Sequence, residues 1–452
     1  MGLFSSLRLG LSSLESNQEA LGVVSDNLAN ISTPGYTRKR AIFERQAAGQ
    51  SAEMALGVRV ARVESVRSRF LDKRILGELQ EQGRLSGQSF GLEQIEGALF
   101  TTSGSGISDH LSRFFNSFSE LATDPSSLDL RQATIAEGTQ LALAISTADA
   151  ELVSIQNENG AAAKGAVAEV NDLLRQLSDL NRRLAPQVAE GEEGGSLRDQ
   201  QQQLLTELAG QIDFSSFESE KGILTVVTGS GQLLLAGGDT FALEFEQTTG
   251  GIVIRLGAQD ITSEITGGQL GGYLELDRTV PDRRETLDRL AQELANQVNA
   301  VHQGGEGMDG STGLDFFSFN PGDAASTLSV SLTDPRSVAA AAPGGGAGDG
   351  TTAQQITDLR DQAVAELNDS TFSSFYSELV YQVGADSQLV RESLDLQDQI
   401  VVQMQNDRDS VSAVSLDEEA VNLINFQSFY EASAQLIQTL DELIEETVNL
   451  VR

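Results

Sequence analysis

Two apolar stripes, one at each end of a 452-residue chain, constrain its fold more than any other feature. Near the N-terminus Leu7, Leu11, Leu14, Leu21 and Leu28 follow steps of four, three, seven and seven, one face of a helix that should end near Asn30. At the other end Ala420, Leu423, Tyr430, Ala434, Ile437, Ile444, Val448 and Val451 recur at heptad-like steps over residues 416–451. Such a helix extends roughly 50 Å at about 1.5 Å per residue. Amphipathic helices of this kind are marginal in water until their apolar faces are covered. The two ends also differ in charge: residues 1–75 hold eleven Lys/Arg against seven Asp/Glu, and residues 401–452 hold two against ten. An antiparallel pairing of the ends, positive with negative, is the simplest expectation. Leu9, Val23, Phe426, Leu436, Leu440 and Leu443 fall off the main stripes, so a two-helix pair leaves apolar surface open to a further contact. Heterologous contacts of that sort propagate into rings or helical filaments. Periodicity alone leaves open whether a monomeric bundle covers these faces instead.

The interior is expected to be helical around a β-rich centre. Residues 64–100 read as helix, followed by a long helical stretch whose phase shifts near Gly160 and which breaks at Pro186 and the run Gly191–Gly195. A further helix follows at 196–210. Near residue 211 the apolar period changes to two (Phe241, Leu243, Phe245; Ile252, Ile254, Leu256), with glycine pairs between runs, the pattern of antiparallel strands. Helix returns at 281–302, a short strand region carries Leu328, Val330 and Leu332, and Pro343–Gly348 reads as a flexible linker before helix 375–411. Ser415 to Glu418 matches a capping box at the start of the last helix. The expected fold class is mainly α with β: a discontinuous terminal α-helical coiled coil, a helical-bundle domain and an outer antiparallel β domain. Their expected limits are 1–60 plus 410–452, then 61–210 plus 275–302 plus 352–409, then 211–274 plus 303–351.

Composition removes most chemistry. There is no cysteine, so no disulfide, thiolate or sulfur-ligated metal. The two histidines, His110 and His302, have no ligand spacing and read as surface or capping residues. Neither a metal nor another cofactor is expected. A net charge of −36 disfavours nucleic acid, and no run of eighteen apolar residues offers a membrane span. The first residues lack a basic leader before an apolar run, so no cleavable signal peptide is expected. Arg38-Lys39-Arg40 reads as a solvated or lattice salt-bridge patch, and Glu418-Glu419 as acids complementing a helix dipole.

One motif goes further. Asn27, Leu28, Asn30, Thr33, Pro34, Gly35, Tyr36, Thr37 and Arg38, with Pro and Gly placed for a type II turn, resemble the N-terminal signature of bacterial flagellar rod, hook and hook-associated proteins. The Gly-Tyr-Thr-Arg continuation, the run Ser415–Gln427 and the run Tyr430–Thr439 resemble the hook-associated protein 1 (FlgK) family, as do Leu197–Gln200 and Gly267–Gly272. The second motif departs in beginning Leu-Arg-Asp-Gln, and the middle is short for that family. The resemblance implies a non-enzymatic subunit of a tubular lattice, joining hook to filament, with β domains facing outward. It implies self-association, contact with the hook protein and the second junction protein, and export by the flagellar type III apparatus with a chaperone on residues around 415–452. Assembly would be carried by Leu7, Leu11, Leu14, Leu21, Leu28, Leu423, Phe426, Tyr430, Ile437, Ile444 and Val448, with loose ends in the free subunit. Another axial subunit, hook or distal rod, is the alternative; long internal helices argue against it.

Overall fold

The structure, a computed structural model, describes residues 3–33, 35–47, 55–100, 106–189, 194–219 and 223–450. Pro34, Val451 and residues 191–193 lie outside these residues. The chain is mainly helical with small antiparallel sheets.

Helix α1 (Leu3–Ala29) leads into a hairpin of β1 (Lys39–Ala47) and β2 (Ala55–Ser65). Next come α2 (Arg69–Leu99), α3 (Ile107–Thr123), α4 (Leu128–Ala189) and α5 (Gly195–Gln211). Strands β3 (Ser215–Glu218), β4 (Leu224–Val227), β5 (Leu233–Ala236) and β6 (Asp239–Thr240) form one meander, and β7 (Leu243–Thr248), β8 (Gly251–Leu256) and β9 (Gln259–Asp260) a second. Helix α6 (Gly268–Gln303), β10 (Phe317–Ser318), α7 (Ala324–Thr327), β11 (Ser329–Val330), α8 (Thr351–Asp358), α9 (Phe372–Ser412) and α10 (Leu416–Leu450) complete the chain.

Two large apolar clusters hold the body. One gathers α3, the first half of α4, most of α6 and residues 316–383, with Phe114, Phe118, Phe316 and Phe317 in mutual edge or tilted contact. The other joins the middle of α4, α5 and both meanders. Residues 303–351 thus pack chiefly with helices, and 211–274 with the second cluster. Asparagines of α4 stand in for strand backbone and fix the sheets. Asn181 donates to Leu224 O and Gly237 O and accepts from Leu224 N, and Asn171 exchanges both bonds with Leu243. Each satisfies buried peptide groups that have no strand neighbour there.

Several expectations are corrected. Helix α4 runs unbroken for 62 residues, about 93 Å long, through Gly160 and Pro186. A Cβ on Gly160 would meet the end of the exposed Gln247 side chain, and the helix continues through this glycine, where the sequence showed a shift of phase. Residues 64–65 belong to β2, and the helix starts after Ser68, whose hydroxyl caps Leu71 N. Helix α6 begins at Gly268, far before residue 281, because its glycines allow α2 to approach: a Cβ on Gly272 would lie 2.3 Å from Arg84 O, and one on Gly87 2.7 Å from Gln269 O. Residues 343–348 are an ordered turn, not a linker. Gly344 N bonds Glu306, Gly345 N bonds Ala342 O, and Asp349 accepts from Ala342 N. His302 is buried, not a surface or capping group; its Nε2 accepts from Ala339 N at 2.9 Å, so Nδ1 donates to Leu314 O at 2.7 Å.

A candidate assembly node between the chain termini

Helices α1 and α10 pack antiparallel, with Gly10 facing Ile437, Ser13 facing Ser433 at 2.9 Å between hydroxyls, and Asn27 facing Glu419 at 3.1 Å. On α10 the inward line is Glu419, Leu423, Phe426, Tyr430, Ser433, Ile437, Leu440 and Ile444, alternating steps of four and three. On α1 the matching line is Gly10, Ser13, Asn17, Ala20, Val24 and Asn27. Large side chains on one helix thus meet small ones on the other, the packing a close two-helix seam requires. The serines and Asn17 satisfy one another: Ser433 Oγ also donates to Phe429 O, and Asn17 Nδ2 reaches Ser13 Oγ.

The leucine stripe is therefore not the seam. Leu7, Leu14, Leu21 and Leu28 flank it, half-buried, and Leu11 is exposed. Leu440 and Val23, placed off the stripes from sequence, are buried, and Phe426 is on the seam, in ring contact with Phe43 at 6.0 Å. Val448 is 55% exposed. The hairpin covers the other side of α1: Ser12 and Ser16 both donate to Val58 O at 2.6 Å. Gly57, at φ 121°, lets the strand pass against Ser12, where a Cβ would clash. Between the hairpin and α10 lies an apolar groove lined by Phe43, Val58, Phe426, Phe429 and Leu436.

The N-terminal motif locks this pair. Residues Thr33 to Tyr36 close a turn, Tyr36 N donating to Thr33 O at 3.2 Å with Gly35 at φ 77°, as the third position of a type II turn needs. The turn returns the chain so that Asn27, fully buried, uses all four bonds of its amide. Its Nδ2 donates to Lys39 O and Glu419 Oε2, and its Oδ1 accepts from Lys39 N and the Tyr36 hydroxyl. Asn30 caps its own turn on Asp26 O, and Thr33 bonds Asn30 Oδ1.

Arg38 completes the node. Its Nε donates to Glu419 Oε1 at 2.8 Å and its Nη1 to Glu418, while its amide bonds Ser412 O. The basic cluster is thus partly internal, and the two glutamates act in an ion pair as well as at the helix dipole. The Glu419 side chain is 2% exposed, so its charge is tolerable only because Arg38 and Asn27 both reach it. Burial, with Asp26, Asp199 and Glu419 nearby, pushes the Tyr36 phenol up to about 12, keeping it a neutral donor. Thr37 is buried facing Asp199 on α5. Sequence reasoning missed Gly10, Ser13 and Ala20, and the pairing role of Glu419; the signal was the three-and-four spacing of small residues, which a search for leucines passes over.

Among the described residues no group of three or more His, Cys, Asp or Glu is placed to hold a metal ion, and no helix is long and apolar enough to cross a membrane.

Comparison with known proteins agrees with this architecture. Residues 92–317 match the flagellar hook-associated protein FlgK helical domain. Residues 7–37 match the flagella basal body rod protein family, and residues 407–450 the flagellar basal body rod FlgEFG protein C-terminal family. Flagellar hook-associated protein 1 of Bacillus subtilis is 26% identical, covering 99% of this chain and 98% of its own. The protein of that name from Salmonella typhimurium is 25% identical over 97% and 98%. The flagellar hook junction protein FlgK from Burkholderia pseudomallei shares the fold with a TM-score of 0.67 at 14% identity, over 75% of this chain and 100% of that one. The rod-type matches fall on α1 and α10, the two halves of the seam, and the FlgK match covers residues 92–317 of the body between them. The chain belongs to the flagellar hook-associated protein FlgK family.

Proposed function

We infer that this chain is a structural subunit joining hook to filament in the bacterial flagellum, without catalytic activity. The observation that carries this reading is the seam: it unites both ends in one copy yet leaves apolar flanks, Leu11 on one helix and Phe429, Leu436 and Val448 on the other, exposed. Flanks of that kind suit heterologous contacts that build a tube. The half-buried leucines Leu7, Leu14, Leu21 and Leu28 would meet neighbouring copies, and residues 1–60 with 410–452 would form the assembling unit. Family membership supports further partners: the hook protein, the second junction protein, and before export a chaperone on residues around 415–452. It supports export through the flagellar type III apparatus to an extracellular position.

The rod-type matches at the two ends favour, as a second reading, a hook or distal rod subunit. The match across 92–317 weighs against it, because the family matched there is the helical domain of the hook-associated protein FlgK. Deleting the protein from its cell separates the two. A junction subunit leaves cells with complete hooks, no filaments and flagellin released unassembled; a hook or rod subunit leaves cells without hooks. Normal filaments would overturn both.

A further inference from the structure

The chain's charge is sharply partitioned. Residues 38–74 hold ten Lys/Arg against four Asp/Glu in a chain whose net charge is −36. Part of this cluster belongs to the node, where Arg38 pairs with Glu418 and Glu419. The rest forms an exposed belt: Arg40 and Arg62 on the hairpin, and Arg69, Lys73 and Arg74 on the first turns of α2. Beside the α2 bases lies a recess of about 270 Å³, with Leu76, Leu205 and Leu224 buried beneath it and Phe217 exposed at its edge. Phe70, 68% exposed, carries the Arg74 guanidinium over its ring at 5.7 Å. Exposed rings and an apolar floor inside a charged rim are the anatomy of a protein interface.

The complementary surface lies on the same chain. Residues 441–450 of α10 carry Asp441, Glu442, Glu445 and Glu446, all exposed, and no base. Glu442, Glu445 and Glu446, three and four apart, share one face of the helix, with the exposed Leu443 and Val448 at its two margins. Neither patch is placed for the sake of its own helix. Arg69 opens α2, where the dipole is positive, and the carboxylates crowd the last three turns of α10, toward its negative end. Nor can the two meet within one copy. The belt starts beside the node, since Val66 N bonds Arg38 O and Arg38 holds Glu419. Glu442 lies about 35 Å farther along α10 than Glu419, at about 1.5 Å per residue, on the stretch held to the first turns of α1 where Ile437 faces Gly10.

We propose that the cationic belt of one copy, with its recess, receives the acidic end of α10 from a second copy, the carboxylates meeting Arg69, Lys73 and Arg74 and the apolar margins meeting Phe70 and Phe217. This rests on the assembly reading above and names one contact within it. Because the two patches occupy opposite ends of the seam, the contact is heterologous and passes from copy to copy. Its charges also set direction: belt against belt and acidic end against acidic end both repel, so a neighbour docks only end to belt.

Filaments per cell, counted in a strain deleted for this protein and supplied with full-length variants, read the contact. Arg69→Glu with Lys73→Glu on the belt, and Glu442→Lys with Glu445→Lys on α10, should each lower the count at least fivefold. The four changes together should bring it back to within about twofold of the native chain. Single pairs that leave the count unchanged, or a fourfold variant no better than either pair alone, overturn the contact. Native flagella give a reading that needs no variant, since the chain has only four lysines. A carbodiimide, which joins amine to carboxylate without a spacer, should link Lys73 of one chain to Glu442, Glu445 or Glu446 of another; Lys73 linked only to a different protein, or not at all, overturns the contact. Normal filaments in the deletion strain would contradict the assembly reading itself, so the two failures are told apart.

Discussion

Asn27 and Glu419 are 392 positions apart in sequence and meet at 3.1 Å, closing the chain's two ends on each other. Asn27 also holds the turn that follows it, so one amide fixes helix, turn and partner together. Asn27→Leu leaves the Lys39 peptide groups, the Tyr36 hydroxyl and one Glu419 oxygen without this partner, at about 1–3 kcal/mol for each group that stays buried. The terminal pair should then separate below the melting temperature of the body. Tryptic cleavage after Arg38, shielded by its ion pair, measures it: the variant should be cut at least tenfold faster than the native chain under native conditions.

The Arg38–Glu419 pair is buried at one end and 22% exposed at the other. Its coupling should fall between the ~0–1 kcal/mol of exposed pairs and the ~3–5 kcal/mol lost when a fully buried pair is broken, at roughly 2 kcal/mol. A double-mutant cycle with Arg38→Gln and Glu419→Gln, read by urea unfolding, checks this. The double variant should be more stable than the sum of the single losses predicts, because neither charge is left alone.

The small-residue line of α1 makes a contrasting pair of glycines. A Cβ on Gly10 would lie 3.0 Å from Ile437, whereas one on Gly22 meets nothing within 4 Å. Gly22→Ala should therefore stabilise the helix by about 0.5–1 kcal/mol through the lower entropy of the unfolded chain. Gly10→Leu should cost about 1–3 kcal/mol by overpacking. Circular dichroism melting of the two variants should move in opposite directions.

His302 sets a pH dependence in the body. Burial holds its imidazole below the usual value near 6.5, and its Nε2 must stay unprotonated to accept from Ala339 N. The unfolded chain therefore binds a proton that the folded chain refuses. Stability from this group is present above about pH 6.5 and is lost as pH falls toward the folded value. His302→Gln should be less stable at pH 7.5, and the gap in urea midpoint from the native chain should narrow by pH 5.

The terminal helices, the glycine turn at Gly35 and the change of period near residue 211 were legible because each leaves a local mark: a repeat, a turn residue, an alternation. The seam was not legible on the α1 side. Gly10, Ser13, Asn17 and Ala20 are inward because their partners are large, and smallness carries no hydrophobic signal. The continuity of α4 past Gly160 was legible as a repeat that shifts phase, whereas its passage through Pro186 was not, because a proline inside a helix reads locally as a stop. Glu419 looked like a helix-dipole acid because its partner, Arg38, lies 381 positions away. His302 is buried by Leu314 and Ala339, whose positions no local pattern announces.

Under the proposed function seam and flanks divide the labour: the seam closes within one copy, and the flanks would join copies. Disulfide trapping in assembled flagella tests this directly, since the native chain contributes no thiol. Ser13→Cys with Ser433→Cys, replacing hydroxyls 2.9 Å apart, should cross-link within a single chain. Leu14→Cys with Leu436→Cys, on the flanks, should yield chains linked in pairs and longer ladders. Seam cysteines that link only separate chains, or flank cysteines that never do, would contradict the account.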